Sequence, residues 1–152
     1  MSDLTQSGPT LIFDLINTAN PGLPNGPLSA SNVTLGTPAA NTTNGSGDNS
    51  QVEVTGIEGQ GYSGTDVFTY NRIDIGAMFT TWGISATLSG GSGFTNASDM
   101  LTALNAAYSL DLQASDIVDG PIGASSFPDS YTLTIADGSL VYTGTLAVTL
   151  NT

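Results

Sequence analysis

Apolar residues recur at helical spacing twice in this chain, and each time a stretch rich in Thr and β-branched residues follows. Leu11, Ile12, Leu15, Ile16 and Ala19 fall on one face of a helix. Pro9 suits the first turn of that helix, and Asn20-Pro21-Gly22 ends it, because Pro cannot continue a helix and Gly accepts left-handed geometry. The second helix carries Met100, Leu101, Leu104, Ala107 and Tyr108, with Thr95 or Asn96 as its cap and Asp99 in its first turn. After each helix comes Leu-x-Ala-Ser, then Asn or Asp, then Val or Ile, at 28–33 and 112–117. This pattern predicts a tight turn or single helical turn, leading in the first case into an extended Val33-Thr34-Leu35. Strands are predicted at 51–57, 65–75, 82–88, 130–136 and 140–150. Gly59-Gln60-Gly61 and Asp137-Gly138-Ser139 supply hairpin turns. The expected fold class is α+β, with two similar helix–turn–β-hairpin modules, antiparallel sheet, and helices packed on one face.

These blocks predict a duplication. Ile16-Asn17-Thr18-Ala19 answers Leu104-Asn105-Ala106-Ala107, Leu28–Val33 answers Leu112–Ile117, and Tyr62-Ser63-Gly64-Thr65 answers Tyr142-Thr143-Gly144-Thr145. The offset falls from 88 (Asn17 to Asn105) to 84 (Leu28 to Leu112) to 80 (Tyr62 to Tyr142). The first copy therefore holds extra residues at Asn20–Pro27 and within Thr37–Asn49, both turn-forming stretches where insertion is best tolerated. The expected organisation is a flexible lead at 1–8, a first module at 9–76, a connecting strand and Gly/Ser linker at 77–93, and a second module at 94–152.

Composition narrows the classes of function. Only 9% of the 152 residues are charged, against about 25% in ordinary soluble domains. Polarity comes instead from Thr, Ser, Asn and Gly, whose neutral groups cost less to desolvate than charges when a protein lies against another. The net charge is −12, and Arg72 is the one basic residue. Nucleic-acid binding requires Lys or Arg against phosphate, so no nucleic-acid partner is expected, and anionic membrane surfaces are disfavoured alike. No apolar run approaches the roughly 18 residues of a membrane span. Met1-Ser2-Asp3-Leu4 lacks the charged start and apolar core of a signal peptide, so the expected place of synthesis is a host cytoplasm.

The chemical inventory is short. With no His and no Cys, neither a Ser-His-Asp nor a Cys-His site can be assembled, and zinc would have carboxylates alone. Phosphoryl transfer lacks its Lys and its Gly-Lys-Ser/Thr loop. The two glutamates, Glu53 and Glu58, fall on a predicted strand and a turn, without the aromatic platform of a sugar cleft. Asp111, Asp116, Asp119 and Asp129 do not follow calcium-loop spacing, so turn capping and surface charge are the expected roles, with weak Ca²⁺ or Mg²⁺ binding in these acidic loops as the alternative. Catalytic, cofactor-binding and metal-binding residues are accordingly expected to be none, and the protein is expected not to be an enzyme. Arg72, two residues from Asp74 on a predicted strand, is expected in a local salt bridge or cross-strand bond, or as a buried or interfacial anchor. Trp82 is expected to pack in a core between the modules, or else to serve as an interface hot spot. The Asn-x-Ser/Thr triplets at Asn32, Asn41, Asn44 and Asn96 are expected to be coincidental in so Asn/Thr/Ser-rich a chain.

The strings Asp14-Leu15-Ile16-Asn17-Thr18-Ala19-Asn20, Val33-Thr34-Leu35-Gly36-Thr37-Pro38, Gly61-Tyr62-Ser63-Gly64-Thr65 and Tyr70-Asn71-Arg72-Ile73-Asp74 resemble a module of virion structural proteins of large tailed bacteriophages, with Met100–Asp119 as its continuation. The resemblance implies a building block of the particle with no catalytic residues. On it the expected function is a capsid decoration or cement protein bound in many symmetric copies. The alternatives are a neck, tail or baseplate component, or a receptor- or glycan-binding adhesin module. The expected partners are the major capsid protein or other virion proteins, with self-association, and the expected location is the virion. The loops at 20–27 and 37–49 are expected to drape over neighbours.

Overall fold

The computed structural model describes residues 6–42 and 45–152. Most of the expected lead lies outside the described residues, as do Thr43 and Asn44 of the Asn41 and Asn44 triplets. The fold is mixed α+β, with three α-helices and several small sheets among the described residues. Two compact units divide the chain, Met1–Arg72 and Ile73–Thr152. No helix among the described residues is long and apolar enough to cross a membrane.

The first unit begins with α1 (Gly8–Ala19), which has Pro in its first turn and buries Leu11, Ile12 and Ile16. Asn20 ends it by folding back, since its backbone N–H and its Nδ2 both donate to the Ile16 carbonyl, at 2.9 and 2.8 Å. The sheet is built around β3 (Ser50–Gly56), where Ser50, Val52 and Val54 alternate inward. One edge of β3 is shared by β1 (Val33–Leu35) and β2 (Ala39–Ala40), both antiparallel to it. The other edge carries β4 (Thr65–Tyr70), paired antiparallel from Thr55↔Thr65 to Ser50↔Tyr70. Helix α1 packs against β4.

The second unit is built around β9 (Thr145–Leu150), whose Leu146, Val148 and Leu150 are buried. It lies between β7 (Asp129–Thr134), antiparallel, and β6 (Ala86–Leu88), parallel. Residues 77–93, expected as connecting strand and linker, hold most of a helix. Helix α2 (Ile75–Trp82) replaces the strand ends predicted there. Its start is fixed by Asp74, whose carboxylate accepts from the Ala77 N–H at 2.9 Å, and its end by Gly83 in left-handed geometry. Just before it, β5 (Ile73–Asp74) pairs in parallel with β8 (Tyr142–Thr143). A 3₁₀ turn at Ala97–Met100 leads into α3 (Leu101–Tyr108), and a further 3₁₀ turn, Ala114–Asp116, follows it. Of the two caps expected for this helix, Asn96 stands at the start of the 3₁₀ turn rather than of α3, and Asp99 within that turn accepts from the N–H groups of both Thr95 and Asn96 at 2.9 Å.

Each unit buries one tyrosine, Tyr70 in the first and Tyr142 in the second. Burial pushes both phenols up to about 12. The Arg72 charge opposes the rise at Tyr70, and the Asp116 and Asp111 charges add to it at Tyr142. An unfolded tyrosine ionises near 10, so between roughly pH 10 and 12 the unfolded chain releases protons that the folded chain keeps. Stability is therefore present in full below that window and lost as pH rises through it. Urea unfolding followed from pH 9 to 12 is expected to show this loss, with a shallower slope in Tyr70→Phe/Tyr142→Phe. An equal slope in the double variant would show that these phenols are not its source.

Candidate functional site: polar clasps and an open strand edge

The polar side chains of this protein are engaged mostly with its own backbone. In the first unit, Asn17 near the end of α1 clasps Leu28: its Nδ2 donates to the Leu28 carbonyl at 2.9 Å and its Oδ1 accepts from the Leu28 N–H at 2.8 Å. In the second unit Asn105 of α3 makes the same pair with Leu112, at 2.9 and 3.0 Å. A single primary amide supplies a donor and an acceptor on two separate atoms, whereas an ionised Asp only accepts and a Ser hydroxyl carries both functions on one oxygen. Both leucines are buried, so their backbone groups would otherwise lose water without replacement.

The turn after each clasp is also closed alike. Asn32 Oδ1 accepts from the Ser29 N–H at 2.8 Å, and Asp116 Oδ2 from the Gln113 N–H at 2.9 Å. The carbonyls of Asn32 and Asp116 then accept from the N–H groups of Ile57 and Ala136, both at 2.8 Å. Val33 is paired with Gly56, and Ile117 forms an isolated bridge with Ile135. The carbonyls of Gly64 and Gly144, both with positive φ, accept from Gly56 and Ile135.

The acidic residues weighed as metal ligands do not gather. Asp116 accepts from Ser139 Oγ at 2.7 Å, Asp119 from Ser98 N–H and Oγ, Asp111 from Gln113 Nε2, and Asp129 from the Ser130 N–H. Among the described residues no group of three or more His, Cys, Asp or Glu is placed to hold a metal ion. Glu53 and Glu58 are exposed on β3 and in the turn after it. The backbone N–H groups of Asn96 and Thr95 hold the exposed Asp99 carboxyl below the usual carboxylate range. Its contribution is present at neutral pH and lost as pH falls through that lowered value.

Arg72 donates through Nε to Ser50 Oγ at 2.8 Å, while its backbone is bracketed by the Asn49 side chain. Asp74 is the cap of α2. Trp82, expected in a core, is 44% exposed on α2, its ring 5.6 Å from that of Phe79. The loop 20–27, expected to drape over neighbours, is fastened to its own unit. Asn25 Nδ2 donates to the Gly61 carbonyl at 2.6 Å, and the Tyr62 hydroxyl donates to that of Gly26.

Beside that loop lies the feature the sequence did not reveal. A cleft of about 380 Å³ opens in the first unit, with Leu28, Val33 and Val54 among its lining, flanked by Leu23 and Pro24 and bordered by Phe68 of β4. The adjoining stretch of β4 is exposed, with Val67 at 51%. β4 pairs only with β3 among the described strands. Two devices guard this edge: Asp66 Oδ1 accepts from the Val67 N–H at 2.8 Å, and Asn20 Nδ2 donates to the Thr69 carbonyl at 2.8 Å. No periodicity marks a strand edge as open, because openness depends on which other segment reaches it.

These features define a mixed α+β protein with side-chain-to-backbone clasps in each unit, in which β4 pairs with β3 alone among the described strands. The chain belongs to a family of unknown function, DUF7941, whose model matches residues 1–152. No curated protein and no solved structure matches it.

Removing either clasp leaves two buried backbone groups without their partner. Asn17→Ala and Asn105→Ala are each expected to lower stability by about 1–3 kcal/mol in urea unfolding. A loss under about 0.5 kcal/mol in both, the range of ordinary surface substitutions, would remove the clasps from the interactions that hold the units.

Proposed function

We propose that this chain is a non-enzymatic structural protein of a bacteriophage particle, made of one module used twice, and that it acts as a capsid decoration or cement protein. The observation that carries the reading is the recurrence of the same clasp, turn closure and strand pairing in both units, at the residues whose sequence blocks repeat. Asn17, Leu28, Asn32 and Gly64 answer Asn105, Leu112, Asp116 and Gly144. The clasp closes across 11 residues in the first unit and 7 in the second, so the extra length falls in the loop as the blocks predict.

Two further features support an assembly role over turnover. Named polar side chains are engaged in capping and clasping, and the cleft of the first unit combines apolar Leu28, Val33 and Val54 with Ser63, Thr65 and Asp66. A net charge of −12 with sparse local charge suits the outer face of a particle whose interior holds nucleic acid, because such a surface is repelled by phosphate. Binding in many symmetric copies lets small interfaces add through multivalency, with the major capsid protein or other virion proteins as partners.

Purified particles test this reading. Quantitative mass spectrometry is expected to find the chain at a copy number comparable to that of the major capsid protein, and labelling in electron microscopy to place it on the head. A copy number of a few per particle, or label on the tail, would move the assignment to a neck, tail or baseplate component. Absence from particles would end it.

A further inference from the structure

The second unit shows what covers the strand edge that the first unit leaves open. There, the segment 73–88 runs along the β8–β9 edge. It enters as β5 beside Tyr142-Thr143, continues as α2, and leaves as β6 in register with Val148, Thr149 and Leu150. The contact is close. A Cβ at Gly144 would stand 2.8 Å from the Asp74 carboxylate, and one at Gly76 would collide with the Thr145 carbonyl. Ile75 and Phe79 of this segment are buried, as are Leu146 and Val148 of β9. Tyr108 at the end of α3 accepts from the Thr87 N–H at 2.7 Å, so the helix end reaches the covering strand.

In the first unit no described residue takes the place that Asp74 holds beside Gly144. A Cβ at Gly64 meets no atom within 4 Å, although Gly64, like Gly144, has a positive φ. Phe68, matching Val148, is partly buried, and Asp66, matching Leu146, is exposed. The residue at the end of α1 that matches Tyr108 is Asn20, and its amide donates to the Thr69 carbonyl. A side-chain donor thus serves a carbonyl on the side of β4 where the second unit carries a strand. One local difference limits the match: the Tyr62-Ser63 backbone lies against Gly56, where a Cβ would come within 2.5 Å of it, so the correspondence holds from Gly64 onward.

The geometry points to a docking site for a polypeptide segment of a neighbouring protein along β4 from Gly64 to Tyr70 and into the cleft beside it. The occupant has the chemistry of residues 73–88: a short helix presenting aliphatic or aromatic side chains to the cleft, then a strand parallel to β4. This is strand addition with side-chain anchors, in which main-chain hydrogen bonds give affinity and the apolar pocket gives choice of partner. The exposed Asp66 and the chain's net charge select a segment that is neutral or basic. The inference rests on the equivalence of the two units proposed above.

The test uses the full chain and a synthetic peptide of its own residues 71–90, supplied in trans at up to about 1 mM. Hydrogen exchange resolved by residue is expected to show amides of 64–70 protected about tenfold more with the peptide than without it. Gly64→Asn, whose side chain tolerates left-handed geometry, is expected to fold with unchanged circular dichroism and to abolish that protection, because its Cβ fills the place of the capping carboxylate. No added protection at 64–70, protection appearing at 142–150 instead, or an unaffected response in Gly64→Asn overturns the docking site. Protection at 64–70 that grows with protein concentration in the absence of peptide would assign the edge to a second copy and overturn the neighbouring-protein reading. A negative result here alongside high copy number in particles would sink the docking site and leave the virion reading standing.

Discussion

Every helix that turns back onto a sheet must bury the backbone of the residue where the chain re-enters the core, and that residue's N–H and C=O then need partners. This constraint governs both units. Leu28 and Leu112 are the re-entry points, each buried and each followed by a turn, so neither can find a ladder partner of its own. One asparagine amide on the preceding helix meets both needs at once. The closed turn fixes where Val33 and Ile117 start, and they set the register of the hairpin behind them. Behind the turns, the core side chains face inward by the alternation of β3 and β9.

Much of this was legible in the chain. The apolar stripe of α1 and the cap of the 3₁₀ turn leading into α3 follow from spacing and from Asn96 and Asp99, and the alternation in β3 and β9 marks their inward faces. The repeated Asn, Leu and Asn/Asp positions were visible as a pattern; their partnership was not, since no rule of spacing links Asn17 to a backbone 11 residues away. Helix α2 was missed for a different reason. Ile73-Asp74-Ile75 alternates, and Thr80-Thr81 favours strand, yet Ile75, Met78, Phe79 and Trp82 recur at helical spacing between an Asp cap and a Gly stop. Capping outweighed β-propensity.

The candidate site was the least legible part. Its apolar members, Leu28, Val33 and Val54, read as ordinary core, and they are core residues, buried beneath a cleft that no described segment closes. Exposure of a strand edge belongs to topology. The contrast between the units exposes it, since a glycine crowded by a carboxylate in one has open space in the other. Trp82, which composition singled out, stands partly exposed on the covering helix, stacked obliquely on Phe79.

The two clasps close loops of different length and yet leave the same geometry behind them. The stretch between Asn20 and Leu28 is thus where the first unit carries its extra length, held at its end by the clasp and within by Asn25 and Gly26. The same stretch supplies Leu23 and Pro24 to the rim of the open cleft. Change tolerated by the fold is, at this one position, change presented to whatever docks beside it, so a new preference for a neighbour can arise without a new scaffold.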